Sequence, residues 1–223
     1  MLRTYLRFLV FAVVTAWFFP AHAGSFADFF RSVRQDDVQA VQALLQRGFD
    51  PNTIDEKGLT GLFIALRDEY PKVARLLAGW PATQPEFRSP DGESTLMMAC
   101  LRGNEDIARL LVERGADVNK PGWTPLHYAA TGGHAAIAAF LLDQNAYIDA
   151  DAPNGNTPLM MAALYGNAET VKLLLDAGAD ASLRNRLGMS ALDLARKGER
   201  PDAIRLLEQA QDQRRREKPP GKW

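Results

Sequence analysis

The chain has 223 residues, 47% apolar and 24% charged, with a formal net charge of −1. That balance suits one or two compact globular domains, and so weak a charge gives no sign of a nucleic-acid partner. A single cysteine, Cys100, excludes an internal disulfide, so stability must come from a packed core.

The first predicted element stands apart from the fold. Arg3 and Arg7 precede an apolar run from Phe8 to Phe19. Pro20 breaks that run, and Ala21-His22-Ala23 puts small residues at the two positions a signal peptidase reads. This order predicts a secretory signal peptide over 1–23, cleaved between Ala23 and Gly24. The twelve residues of this run, apolar but for Thr15, would rise about 18 Å as a helix, short of the roughly 30 Å hydrocarbon core, so no stable membrane anchor is expected after cleavage. Removing Arg3 and Arg7 leaves a net charge of −3. The expected location is periplasmic or secreted. One thiol and no usable N-glycosylation sequon favour a bacterial periplasm.

From Gly24 onward the chain repeats itself. "GLTGLFIAL" starts at Gly58, "GESTLMMACLRGN" at Gly92, "GWTPLHYAATGGH" at Gly122, "GNTPLMMAALYGN" at Gly155 and "GMSALDLARKGE" at Gly188. A second block with paired leucines follows each, as in "DIARLLVERGADVN" and "TVKLLLDAGADAS". Within a unit the apolar residues recur at helical spacing, first as Leu126, Ala129 and Ala130, then as Ile137, Phe140 and Leu141. Thr124 before Pro125 reads as a helix cap followed by the first helical residue. Gly115 and Gly178 follow second helices, where a left-handed residue ends a helix cheaply. One such pair cannot bury its own faces, but stacked pairs can.

These blocks resemble the ankyrin repeat, whose pattern is a turn glycine, T-P-L-H-x-A-A, G-H, a leucine pair and G-A-D. The match runs from Ser25 to about Gln209. The resemblance implies an all-α solenoid of six helix-turn-helix units joined by short β-hairpins, forming a repeat domain over 24–210. It also implies a non-enzymatic module that binds a protein partner, with a monomer expected and no cofactor or metal. His127 would bridge to the backbone of a neighbouring unit. In this family the residue after the turn glycine, and those nine and ten later, face a concave groove. Those positions hold Glu93, Leu101, Arg102, Trp123, Thr131, Asn156, Leu164 and Tyr165. Trp123 has a second reading, as a local plug folded over Pro125. Nothing in the chain resembles a nucleophile with its base, a metal-ligand cluster or a phosphate loop.

Several copies depart from the pattern. The join from Gly115 to Gly122 is three residues shorter than those from Gly48 to Gly58 and from Gly178 to Gly188. That is either a neutral loop deletion or a notch in the row of hairpin tips. Glu69 stands where Gly103, Gly133 and Gly166 stand. The three prolines in Gly79–Asp91 predict irregular, soft backbone. Met97, Met98, Met160 and Met161 fall on the packed side of their helices and read as core, as does Cys100. The alternative, implied by resemblance alone, is a protective factor in oxidative stress, either a methionine oxidant sink or a helper of an exported peroxide-consuming enzyme. The end, 211–223, is rich in arginine and proline and reads as a frayed helix end and a disordered basic tail.

Overall fold

The computed structural model describes residues 20–217. The expected signal peptide lies mostly outside them. Helix α1 spans Pro20–Arg34 and so contains the Ala23–Gly24 bond. The chain divides into two compact units, one ending at Thr83 and the other beginning at Gln84. The boundary falls inside the non-helical, proline-bearing stretch from Trp80 to Asp91.

The first unit holds α1, α2 (Val38–Gln46), α3 (Gly61–Arg67) and α4 (Pro71–Gly79). Helix α1 packs on α3, and α2 on α4. Phe29 lies at the centre, stacked on Phe49 with ring centres 4.5 Å apart. Gly61 stands where the later units carry Pro125 and Pro158, and a Cβ at Gly61 would sit 2.8 Å from the Phe29 ring. The missing side chain is therefore space taken by Phe29.

The second unit holds four helix pairs. They are α5 (Thr95–Leu101) with α6 (Glu105–Glu113), α7 (Pro125–Gly132) with α8 (Ala135–Asp143), α9 (Pro158–Leu164) with α10 (Ala168–Asp176), and α11 (Ala191–Lys197) with α12 (Pro201–Glu217). Helices α5, α7, α9 and α11 pack side by side as one layer, and α6, α8, α10 and α12 as a second. Leu96, Leu111, Leu126, Leu141, Leu159 and Leu174 are buried between them, together with all four paired methionines and Cys100.

Local chemistry explains where the helices begin. Thr60, Ser94, Thr124, Thr157 and Ser190 each accept a hydrogen bond from the backbone N–H three residues on. This is the expected N-cap, and it satisfies a donor that the first turn otherwise leaves unpaired. Pro71 opens α4, where its missing N–H does no harm. Helices α2, α6, α8 and α10 are followed by left-handed residues, among them Gly178 at φ 97° and Asn145 at φ 63°. Glu69, at the glycine position, is held left-handed at φ 63°.

Paired β-backbone among the described residues is limited to isolated bridges, Ile54 to Thr60 and Arg88 to Ser94. Four of the joins nevertheless close the same tight turn. The N–H groups of Gly58, Gly92, Gly155 and Gly188 donate to Asp55, Ser89, Ala152 and Asn185 carbonyls at 2.7–2.9 Å. Each of these glycines is left-handed, which lets the turn meet the flanking strands. The short join before Gly122 has no such turn. Its Lys120 is instead drawn between Glu86 at 2.7 Å and Asp117 at 3.3 Å.

Helix α12 departs from the expected disordered tail, because it continues through Glu217. Arg214 in this extension pairs with Asp180 of the loop after α10, and Arg215 faces Asp212 one turn back at 3.7 Å. Asp180 is held down at about 2, first by hydrogen bonds from Ser182 and then by Arg214. Residues 218–223 lie outside the described chain.

Candidate partner-binding face

The eight residues assigned to a groove all lie in the second unit, at opposite ends of its first helices. Glu93, Trp123 and Asn156 immediately precede the caps Ser94, Thr124 and Thr157. Leu101, Arg102, Thr131, Leu164 and Tyr165 occupy the last turns of α5, α7 and α9 or the residues after them. A helix of this length rises about 10 Å, so these residues form two clusters.

The cap-side cluster is organised by His127. Its ring is fully buried, and Nδ1 accepts from the Thr124 N–H at 3.2 Å. That bond puts the proton on Nε2, which donates to the Asn156 carbonyl of the next unit at 2.9 Å. The bridge between units is the one the resemblance implies. Burial drives the imidazole down to about 4, against the opposing pull of the Asn156 and Ala150 carbonyls and of Asp151. With both nitrogens engaged, His127 holds the stack together and has no lone pair or proton to offer a substrate.

Trp123 packs edge-to-face on His127, with ring centres 5.3 Å apart, and is half-buried. The plug reading thus has a real contact, with His127, and part of the indole stays accessible. Asn156 is a correction: it is 8% exposed and belongs to the interior. Its side-chain oxygen accepts from Asn185 Nδ2 at 2.8 Å, and its own amide reaches Met161 Sδ at 3.5 Å. The neighbouring hairpin carries Asn185 over it, which no spacing rule within one unit anticipates. Tyr128 was not among the expected residues. It stands where other units carry Ile64, Met98, Met161 and Leu194, and a phenol in an apolar column is the signal that could have found it. Its hydroxyl donates to Glu93 Oε1 at 3.0 Å. Burial first, and Glu93 second, push its pKa well above the usual phenol value.

At the far helix ends, residues opening the second helices tie each unit to the one before. His134 Nε2 reaches the Leu101 carbonyl at 3.1 Å, Asn167 donates to Gly133 O at 2.8 Å, and Arg200 to Tyr165 O at 3.2 Å. Thr131 is half-buried, its hydroxyl donating to His127 O of the same helix at 2.8 Å. Leu101 and Leu164 are half-buried, and Arg102 and Tyr165 point outward. The close approach that Gly132 and Gly198 make to the preceding unit is made in the α9 turn by Gly166, one residue later. Tyr165 is left standing clear, 55% exposed. Leu187, at a hairpin tip where Lys57, Asp91 and Asn154 are polar, is 78% exposed and was also not anticipated. Among the described residues no group of His, Cys, Asp and Glu could hold a metal ion.

Comparison with known proteins gives a consistent result. A family described as ankyrin repeats (3 copies) matches residues 29–120, 81–152 and 148–216. The mouse (Mus musculus) ankyrin repeat and SAM domain-containing protein 6 is 33% identical over 66% of this chain, and the match covers 18% of that protein. The human (Homo sapiens) SH3 and multiple ankyrin repeat domains protein 2 is 32% identical over 76% of this chain, covering 10% of that protein. Both relatives are thus far longer than the shared region. Among solved structures, a chain from the complex of the Bd0816 predatory endopeptidase of Bdellovibrio bacteriovorus with immunity protein Bd3460 superposes with a TM-score of 0.69. It is 27% identical, and the match covers 82% of this chain and 97% of that one.

Proposed function

Since this chain belongs to the ankyrin-repeat family, whose members are protein–protein interaction modules, we propose that it is an exported, monomeric binding module that docks a protein partner on the second unit. The contacts we assign are Trp123, Tyr128 and Glu93 at the cap side and Leu101, Arg102, Leu164 and Tyr165 at the far side. The observation that carries this reading is the exposure of Tyr165 beside Leu164 on a backbone pinned by hydrogen bonds between units. Large aromatic and arginine side chains on a rigid surface are the groups that most often dominate binding energy. Rigid repeat stacking means little ordering cost on docking. The structural relative comes from a complex of two proteins, a predatory endopeptidase and an immunity protein. That supports an enzyme as the partner class for this chain, held by its repeat surface rather than acted on. Periplasmic or secreted location follows from the signal-peptide features of residues 1–23, and an exported form starting at Gly24 by intact mass would support it.

Capture of the partner from the exported fraction, followed by Trp123→Ala and Tyr165→Ala, tests the reading. Each variant is expected to weaken binding by about 1–2 kcal/mol with an unchanged melting temperature. Normal binding by both variants would refute the assigned face. The oxidant-sink alternative has little physical basis, since Met97, Met98, Met160 and Met161 are buried and burial pushes the Cys100 thiol well above its usual value. A peroxide-consuming enzyme remains one identity the captured partner could have.

A further inference from the structure

We propose that the interruption in the hairpin row at Gly122 is a docking notch for a basic side chain, arginine or lysine, carried by the protein partner. The proposal rests on the binding-module reading and names the chemistry at its cap-side cluster. It begins with what is missing. The flanking joins project closed turns at Ser89–Gly92 and Ala152–Gly155, and the join between them has none. The far tip leans into the gap, with Pro153 Cγ 3.6 Å from where a Cβ on Gly122 would be. At the base of the gap lies Trp123, half-buried and steadied edge-to-face by His127.

Two carboxylates, Glu93 and Asp151, act on the residues that surround this aromatic floor. Glu93 is fixed by the Tyr128 hydroxyl at 3.0 Å, a neutral donor that leaves its charge uncompensated. Asp151 is exposed and acts on His127 electrostatically. Among the described residues neither carboxylate takes part in an ion pair. The lysine of the short join is already paired. Lys120, whose side chain is 10% exposed, is held by Glu86 and Asp117. Arg88 turns onto its own hairpin, donating to Gly92 O at 3.3 Å. An indole face with carboxylates in its neighbourhood attracts a guanidinium or ammonium and repels an acid. A side chain with a long apolar stem could pass between the two tips, lay the stem along Pro153 and present its charge to Glu93 and Asp151.

The test is selection of short random peptides against the purified protein, followed by affinity measurement on variants. Expected are peptides sharing an arginine or lysine at one position, whose replacement by norleucine lowers affinity at least about tenfold. The same peptides should lose at least about tenfold on Trp123→Ala and about fivefold on the double variant Glu93→Gln, Asp151→Asn. They should be indifferent to Leu187→Ser, a change at an exposed tip outside the assigned contacts. The double variant is nearly isosteric and acts at partly exposed sites, so it stays informative if Trp123→Ala is poorly folded. Peptides with an acidic or purely apolar consensus would overturn the notch. So would peptides sensitive to Tyr165→Ala alone, but those would leave the module reading standing. A library yielding nothing sensitive to any of these changes would sink both.

Discussion

Replacing His127 by methionine should remove a specific part of the acid sensitivity of this fold. Met97 and Met160 occupy the same position in neighbouring units, and the Met97 sulfur even accepts the Ser94 N–H at 3.2 Å, so the substitution suits the local geometry. In the wild type the folded imidazole titrates near 4 and the unfolded one near 6.5. Between those values the unfolded chain binds a proton that the folded chain refuses. Stability contributed by the neutral ring is therefore complete above about pH 6.5 and drains away as pH falls toward about 4. From pH 8 to pH 5 the loss comes to about 2 kcal/mol, approaching about 3 kcal/mol at the acid limit. The carboxylates of Asp117, Asp180 and Asp193 are all held below their ordinary value. What they add is present above 3.8 and is lost only below it, so at pH 5–8 they cancel between the two proteins. Urea denaturation of wild type and His127→Met at pH 8 and pH 5 gives the comparison. At pH 8 the variant should be weaker by about 1–2 kcal/mol, having lost the bond to the Asn156 carbonyl. At pH 5 the gap should close or reverse. Parallel pH dependences, with the gap constant within about 0.5 kcal/mol, would refute a neutral buried His127.

Other expectations follow from single positions. Gly178→Ala should destabilise by about 1 kcal/mol or more in denaturant titration; a Cβ there meets nothing within 4 Å, so the cost is purely the left-handed backbone. Asn145→Gly should be neutral or stabilising by a few tenths of a kcal/mol, and a loss near 1 kcal/mol would contradict its left-handed state. Gly166→Ala should cost about 2–3 kcal/mol, because its Cβ would lie 2.5 Å from the Ala130 carbonyl and backbone cannot step aside. Cys100 should resist thiol reagents in the native protein and react at the unfolding rate; prompt modification would contradict its complete burial.

Much of this protein could be read in the residue order because the controlling interactions are local or periodic. A threonine or serine caps a helix through a bond spanning three residues, so Thr124 and its counterparts announce themselves. Gly178 and Asn145 mark left-handed helix ends through their own backbone preferences. The four methionines and Cys100 fall on the buried side by helical period alone. His127 as a bridge was legible through the family pattern alone, since the equivalent positions here hold Phe63, Met97, Met160 and Asp193.

What the residue order left open depends on partners about one repeat away, carried in by a neighbouring unit. Asn156 follows a turn glycine just as Glu93 and Trp123 do, yet Asn185 covers it and makes it interior. Tyr128 becomes part of the cap-side cluster only because Glu93 is brought beside it from the preceding unit. The arginine-rich end stays helical through Glu217, with Arg214 reaching Asp180 of the loop before it. Tyr165 is exposed because Gly166, rather than the residue before it, makes the close contact with the neighbouring unit. Repetition sets which face of each helix is apolar. Which polar side chains are consumed between units, and which remain for a partner, was decided by tertiary contacts, because a hydrogen bond between repeats needs both ends in place before either residue's exposure is determined.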